Sequence, residues 1–479
     1  MGCADLGTGE AYRDASAHGA LRRSLSPFQI IVILGLTLTI AAMAIRSPRL
    51  PWDVAVFAFH LAFLVCGIWR VLLVVAARST PARPLAAAPD IWPRYTVLAA
   101  LHDEAEVAHQ LISRLAEIDY PHDRLEALLL LEAHDLETLD AVMAADRPRW
   151  MQVIVVPPGS PGTKPRALNH GLARATGDLI VIYDAEDDPD PLQLREAARR
   201  FAGDGAGRLA CLQAPLRIRS RCGAPNALQR QFAVEYAALF EITLPAMARL
   251  GLPFPLGGTS NHFRTDVLRA LGGWDAYNVT EDADLGFRLW RSGWRLDVIH
   301  RPTYESAPSG VEIWLPQRTR WLKGYMQTWG VHTRTPRGLG WRGVVALVMS
   351  LGLALVSAGM HAVAMAWVTM SLVMAVAAGA PPTVGAFSLS VLILGLAAAW
   401  LQCVLGARKA HTPYSAADMI LAPLYWSMLS LAFAHAAWRL IREPYAWDKT
   451  PHQRDPIQDE DTDPGLAEPD LLAAGRRAA

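Results

Sequence analysis

The sequence predicts an α/β domain on a mostly parallel sheet, flanked by α-helical transmembrane segments, and three observations carry that expectation. Apolar residues make up 52% of the 479 and charged residues only 19%, with mean hydropathy +0.18; soluble globular chains carry about 25% charge. Apolar runs long enough to span a bilayer lie toward both ends, and none interrupts the roughly 260 residues between them. Within that middle stretch, short β-rich runs alternate with helix-like ones, the pattern of βαβ units.

The charge balance narrows the function classes. Lys and Arg number 45 and so do Asp and Glu, which excludes a basic nucleic-acid binder and a highly charged disordered chain. Cys3, Cys66, Cys211, Cys222 and Cys403 have no paired spacing, so neither a disulfide framework nor a zinc site is indicated.

Phe28 to Ile45 is uncharged and just long enough to cross ~30 Å of hydrocarbon. Val54 to Ala77 follows after a short loop, broken only by Arg70, which is expected to snorkel to the interface beside Trp69. Arg22, Arg23 and Ala42-Met43-Ala44 also suit a cleaved signal peptide, but the closeness of the second run favours a membrane hairpin. Arg13, Arg22 and Arg23 before the pair, and Arg78, Arg83 and Arg94 after it, outvote Arg46 and Arg49 in the loop. The N-terminal segment and the central domain are therefore expected in the cytoplasm.

After the domain come Gly343–Ala378, Ala386–Gly406 and Ala416–Trp438. The first would be ~54 Å long as one helix, too long for an unkinked span. It reads as an interfacial helix plus a span, or as two spans broken around Ser357-Ala358-Gly359. Arg439, Arg442, Lys449 and Arg454 favour a cytoplasmic C-terminus, which needs an even number of spans after the domain. The expected division is residues 1–27 cytoplasmic, 28–77 two spans, 78–330 catalytic with an interfacial helix, 341–441 three or four helices, and 442–479 a largely disordered tail.

In the middle, the strands read are Tyr95–Leu101, Leu125–Leu131, Met151–Val156, Leu179–Tyr183 and Leu209–Pro215, with helices around Val107–Ile118, Arg166–Ala175 and Pro191–Phe201. Ligands of such sheets bind at the carboxyl ends of the strands. There Leu179–Tyr183 runs into Asp184-Ala185-Glu186-Asp187-Asp188, whose carboxylates repel one another unless a cation such as Mg²⁺ or Mn²⁺ bridges them to substrate phosphates; the alternative is a solvated acidic turn.

Thr280-Glu281-Asp282-Ala283-Asp284 opens a helix, and either caps it or supplies a general base. Lys164 begins another helix, a place suited to phosphate. Gly257-Gly258-Thr259 is a bare loop or a backbone that contacts an acceptor. Gln317-Arg318-Thr319-Arg320-Trp321 is an interfacial anchor, or else a sugar-stacking tryptophan with an arginine for a leaving diphosphate.

Taken in order, these groups resemble the family 2 processive, membrane-integrated glycosyltransferases, the cellulose synthase-like group. That family carries a first aspartate, a DxD, a TED and a QxxRW. The matches here are Asp135, Asp184 with Glu186, Thr280-Glu281-Asp282 and Gln317 to Trp321, over roughly Tyr95 to Trp329. The resemblance implies a GT-A type mixed sheet with helices on both faces, at a bacterial-type inner membrane. It implies that Asp103, Glu104 and Asp135 bind the nucleotide of a UDP-sugar, with Lys164 and Asp184 at its diphosphate. Asp184 and Glu186 would hold Mg²⁺ or Mn²⁺, and Asp282, beside Glu281, would be the catalytic base. Gln317, Arg320, Trp321 and Gly258 would face the acceptor and the diphosphate.

The expected activity is inverting transfer of a hexose, glucose by resemblance, to a growing β-linked polysaccharide, with export coupled or left to a partner subunit. The alternative is a single transfer to a lipid. A transporter is a distant third, because the C-terminal runs hold almost no charge beyond Asp418. Three features depart from the family pattern. The DxD reads Asp-Ala-Glu, no PilZ-like Arg-rich domain is read after the last span, and no gating-loop sequence like that of bacterial cellulose synthase is read, so cyclic-dinucleotide control is not implied. Tyr445 to His452 is similar to the WEKT-type end of exopolysaccharide and adhesin-polysaccharide synthases, or is an interfacial anchor.

Overall fold

The computed structural model describes residues 25–78, 85–219, 224–379 and 381–446. Trp447 to His452 and the acidic tail lie outside the described residues. Two helices come first, α1 (Pro27–Arg46) and α2 (Leu50–Arg78). The α/β domain follows as β1 (Tyr95–Leu101), α3 (Ala105–Ala116), β2 (Leu125–Glu132), α4 (Leu136–Ala144), β3 (Met151–Val156), α5 (Lys164–Leu172) and β4 (Leu179–Tyr183). It continues with β5 (Asp188–Pro189), α6 (Gln193–Ala202), β6 (Leu209–Gln213), β7 (Leu216–Ile218), α7 (Ala227–Ala238), a π-turn at 239–243 and α8 (Leu244–Arg249). β8 (Asn261–Arg264), α9 (Thr265–Ala270), α10 (Glu281–Arg291), β9 (Arg295–Val298), β10 (Thr303–Glu305) and α11 (Val311–His332) complete it. The C-terminal helices are α12 (Gly340–Leu347), joined through a π-turn at 348–352 to α13 (Leu353–Ala378), then α14 (Ala386–Ala410) and α15 (Ala416–Arg442).

The seven-stranded sheet has the order β3-β2-β1-β4-β8-β6-β9, and β8 alone runs antiparallel to its neighbours. Strands β1, β2 and β4 are apolar and buried on both faces, as parallel strands between helix layers must be. The expected strand Leu209–Pro215 ends early. Pro215 has no N–H to give a ladder, and the chain passes into a second sheet of order β5-β10-β7. That small sheet lies directly downstream of the acidic turn after β4.

Among the described residues, five helical stretches are long and apolar enough to cross a membrane: α1, α2, Pro336–Ala378, α14 and α15. α2 and α14 run parallel. His60 Nε2 meets Ser388 Oγ at 2.7 Å and Arg70 Nη1 donates to Gln402 Oε1 at 2.8 Å, while Gly67 lets the backbone approach Gly395. Arg70 therefore does not snorkel to the interface: Gln402 holds it between helices, and Gln402 in turn donates to Thr243 in the π-turn at 2.6 Å. Nor is the helix broken at Ser357-Ala358-Gly359. Gly359 packs beneath the Phe433 ring, and the irregularity falls earlier, where Gly352 makes room for Trp329.

α14 seats on α7 through Gly406, where a Cβ would come 2.7 Å from the Ala237 backbone. Gly406→Ala is expected to cost about 1–3 kcal/mol through a forced backbone shift, read as a lower unfolding midpoint in detergent. Gly395→Ala, with nothing within 4 Å of its new methyl, serves as the neutral control.

Candidate active site

One cavity of about 330 Å³ opens at the carboxyl ends of β1, β2 and β4. Of the residues singled out from sequence, Glu104, Lys164, Asp184, Glu186, Gly258, Glu281, Asp282, Gln317, Arg320 and Trp321 all line it. Asp103 and Asp135 do not line it; both lie beside His102, which does, and Asp103 is exposed. The Asp103 N–H donates to Asp135 Oδ2 at 2.6 Å, and Asp135 Oδ1 accepts from the Thr138 N–H at the start of α4. Burial works against its charge, yet the Thr138 and Asp103 hydrogen bonds and nearby His102 hold the Asp135 carboxyl below its usual value. His102, Asp103 and Asp135 also form a group of three close ligand atoms, the one such cluster found among the described residues.

Lys164 stands on the first turn of α5, with Pro165 behind it in a position that needs no N–H. Its ammonium pairs with Asp184 and donates to the Gly258 carbonyl at 2.8 Å. Against burial, Asp184 and Glu281 keep it charged. Beyond Asp184, negative groups crowd together. Burial and then Asp184 and Glu186 push Asp187 well above the ordinary carboxyl range, and burial with Asp187, Glu186 and Asp184 does the same to Glu305. Asp187 Oδ2 accepts from the Asp184 N–H and from Thr259, while its buried Oδ1 has no hydrogen-bond partner. An excess of hard oxygen donors with one orphaned is a set that a divalent cation fits.

On the facing wall, α10 begins without a side-chain cap. Thr280 makes no capping bond and its hydroxyl is buried without a partner, so the capping alternative for this motif fails at its first residue. Burial pushes the Glu281 carboxyl up to about 8, helped by Asp282, and pushes Asp282 up to about 6. Lys164 and Arg320 pull both the other way. Both carboxyls are raised and they titrate as one coupled pair, so near neutral pH the pair holds a proton more readily than free carboxyls do. Asp282 also stands close to Gly258, where an added Cβ would lie 3.6 Å from its Oδ2.

α10 is held in place by α11. Gln327 Oε1 accepts from the Val279 N–H at 3.0 Å, Asn278 donates to Thr328 at 3.1 Å, and buried His332 meets buried Asp284 at 2.9 Å. The same helix turns Gln317, Arg320 and Trp321 into the cavity. Sequence reasoning missed His102 and His134, whose rings meet at 5.3 Å beside the cavity, and the wall made by Tyr236, Leu239, Phe240, Leu256 and Tyr325. The histidines carried a signal, since each sits at the end of an apolar strand run. The wall carried none, because it is assembled from the end of α7, the π-turn after it, the loop at Leu256 and a turn of α11.

The model of glycosyl transferase family group 2 matches residues 179–440. That is more than half of the chain, and the chain belongs to that family. It is 26% identical over 240 residues to the probable glycosyltransferase YdaM of Bacillus subtilis (strain 168), covering 48% of this chain and 55% of that protein. To the β-monoglucosyldiacylglycerol synthase of Synechocystis sp. (strain ATCC 27184 / PCC 6803 / Kazusa) it is 27% identical over 299 residues, 59% of this chain and 60% of the relative. To the UDP-forming catalytic subunit of cellulose synthase 1 of Komagataeibacter xylinus it is 27% identical over 255 residues, 52% of this chain and 33% of that protein. The chain thus spans less than two thirds of the length of each of these curated relatives. Among solved structures, the mannosyltransferase PcManGT from Pyrobaculum calidifontis, in complex with GDP-Man and Mn²⁺, superposes with TM-score 0.52 at 18% identity, over 80% of this chain and 98% of that one. That likeness establishes the GT-A-like fold.

Proposed function

We propose that this family 2 member is a membrane-bound, inverting hexosyltransferase that draws on a UDP-sugar and glycosylates a hydroxyl presented at the bilayer. The observation that carries the reading is the convergence of the Lys164–Asp184 pair, the Glu281–Asp282 pair and Arg320–Trp321 on one cavity. In this reading the nucleotide lies toward Asp103, Glu104 and Asp135, and its diphosphate toward Lys164. Asp184 and Glu186 would hold Mg²⁺ or Mn²⁺, which when bound neutralises phosphate charge. Asp282, in its ionised form, takes the proton of the acceptor hydroxyl as its oxygen attacks the anomeric carbon and the bond to the diphosphate breaks. Lys164 and Arg320 stabilise the departing UDP, so a single displacement suffices and the anomeric configuration inverts.

Trp321 and Tyr325 bring aromatic rings to the cavity wall, a surface chemistry suited to stacking a sugar ring, which supports a growing β-linked polysaccharide as acceptor. Leu216, Leu239, Phe240 and Leu256 make the same cavity partly apolar, and this favours a lipid acceptor as the second reading. The likeness to a glucosyldiacylglycerol synthase over 60% of that relative points the same way.

UDP release by the full chain in nanodiscs, with a panel of UDP-sugars and Mg²⁺ or Mn²⁺, tests the transferase. Product analysis separates the acceptors: an oligosaccharide ladder means polymer, and one hexose on lipid means glycolipid. A protonated base cannot act, so kcat/KM is expected to fall about tenfold per pH unit below about 6, where Asp282 takes up its proton. Glu281→Gln should leave that acid limb in place. If no UDP-sugar is consumed, or the limb is absent, the reading is overturned.

A further inference from the structure

α15 is long and apolar enough to cross a membrane, yet both of its ends are tied to the catalytic side. At its start, Arg230 pairs with Asp418 at 2.8 Å and Gln231 donates to the Asp418 carbonyl at 2.6 Å, both from α7. Midway, the Tyr425 hydroxyl donates to Glu235 at 2.6 Å and accepts from Arg318 at 3.1 Å, and Thr319 meets His435 at 3.1 Å. At its end, buried Lys323 of α11 donates to the carbonyls of Glu443 and Ala446, at 3.3 and 2.7 Å. Gln327 donates to the Pro444 carbonyl at 2.7 Å, and Tyr445 packs edge-on against Tyr277 of the catalytic domain. A crossing helix would have carried residues 443–446 to the far side of the bilayer.

Two neighbouring helices act as depth gauges. Near its start, α15 is level with Trp400 of α14, whose indole donates to the Met419 carbonyl. From Trp400 to the far end of α14 at Ala386 is ~21 Å at about 1.5 Å per residue. At its middle, Ser430 meets Ala362 of α13, and from there to the far end at Ala378 is ~24 Å. Over that half of its length α15 changes depth by only ~3 Å on these gauges, where a crossing helix would change by about 16 Å.

Its two faces differ accordingly. Asp418, Ala422, Tyr425, Ala432 and Ala436 are buried against the protein, while Ile420, Leu424, Leu431, Trp438 and Ile441 are exposed in one apolar stripe.

We propose that α15 does not cross but lies along the catalytic-side face of the bilayer, its apolar stripe seated in the acyl chains of that leaflet. Crossing is then left to α1, α2, the α12–α13 helix and α14. The start of α1, where Gln29 donates to the Gly330 carbonyl of α11 at 2.8 Å, and residues 443–446 come to the same side as the active site. The polar links explain why an apolar helix stays at the surface: the hydrogen bonds and the ion pair of Asp418, Tyr425 and the 443–446 carbonyls are ones that α15 would forfeit by entering the hydrocarbon.

The test uses the full chain in nanodiscs, with nitroxides placed one at a time at residues 420, 424, 431 and 438 in a background without native cysteines. Depth comes from the balance of oxygen and nickel-chelate relaxation. The proposal expects the four depths to agree within about 5 Å, whereas a crossing helix gives a gradient of ~27 Å from 420 to 438; such a gradient overturns it. Epitope tags fused to both ends of the otherwise unaltered protein, probed with protease in sealed vesicles, decide the matter even where a labelled variant fails to fold. Both tags must be cut from the face on which the catalytic domain is cut, and protection of the C-terminal tag alone overturns the proposal.

Discussion

Asp282→Asn is expected to lower kcat by about 10²–10⁴-fold, the contribution of a positioned general base, with the KM for donor little changed. Asparagine keeps the shape of the side chain and the acceptor for the Ala283 N–H, which Asp282 Oδ1 receives at 2.7 Å. It loses only the ability to take a proton. In this variant the repulsion from Asp282 is gone, and burial alone still disfavours the Glu281 carboxylate. Glu281→Gln should therefore cost far less than Asp282→Asn. Single-turnover measurements with bound UDP-sugar would separate the chemical step from release. Should Asp282→Asn retain full activity while Glu281→Gln is dead, the two carboxyls exchange roles.

The sequence revealed those parts of the molecule whose signal is local. Tyr95–Leu101, Met151–Val156 and Leu179–Tyr183 were bounded to the residue, because apolar runs between turn residues leave little choice of register. β8, β9 and β10 were invisible. They are three or four residues long, and β8 places Asn261 and His262 in a buried strand only because Tyr95 and Gln193 satisfy the imidazole. Tertiary context there overrides composition. Most of the motif residues were legible for the same local reason, since Asp135, Asp184, Lys164 and Glu281–Asp282 follow a strand or open a helix, whereas Gln317, Arg320 and Trp321 sit inside α11 and were legible only by their spacing. What holds them was not. That Gln327 would support the loop before the base, or that His332 would pair with Asp284, depends on how α11 crosses α10, and nothing in either helix alone records it.

α15 is the opposite case. Its length and composition suit a span, and the proposal that it rests at the surface comes from its neighbours: the partners of Asp418, Tyr425, His435 and the 443–446 carbonyls, and its level against α13 and α14. Hydropathy measures what a helix can tolerate, whereas its neighbours' polar groups decide where it rests. The even number of spans that Arg439 and Arg442 asked for after the domain is recovered if α15 is set aside.

Arg318→Met is expected to be the most damaging substitution outside the cavity. Arg318 fills an unspecified position of the Gln317-to-Trp321 motif and is turned away from the site. It makes a two-pronged pair with Glu235 at 2.8 and 2.7 Å, and its guanidinium lies 4.5 Å from the Trp321 ring and 4.7 Å from Phe232. Stranding one member of a buried pair costs about 3–5 kcal/mol. The Glu235 side chain is 33% exposed, which puts the expectation at the low end, and the measurement is the unfolding midpoint in detergent. The double variant Arg318→Met/Glu235→Leu should be more stable than Arg318→Met alone, because no charge is then left behind. Activity need not follow stability. The guanidinium sets the back face of Trp321, so in the double variant transfer to acceptor should fall while acceptor-independent hydrolysis of the UDP-sugar persists. A double variant that transfers as well as the parent would mean that Arg318 serves the fold alone and that Trp321 holds its plane without it.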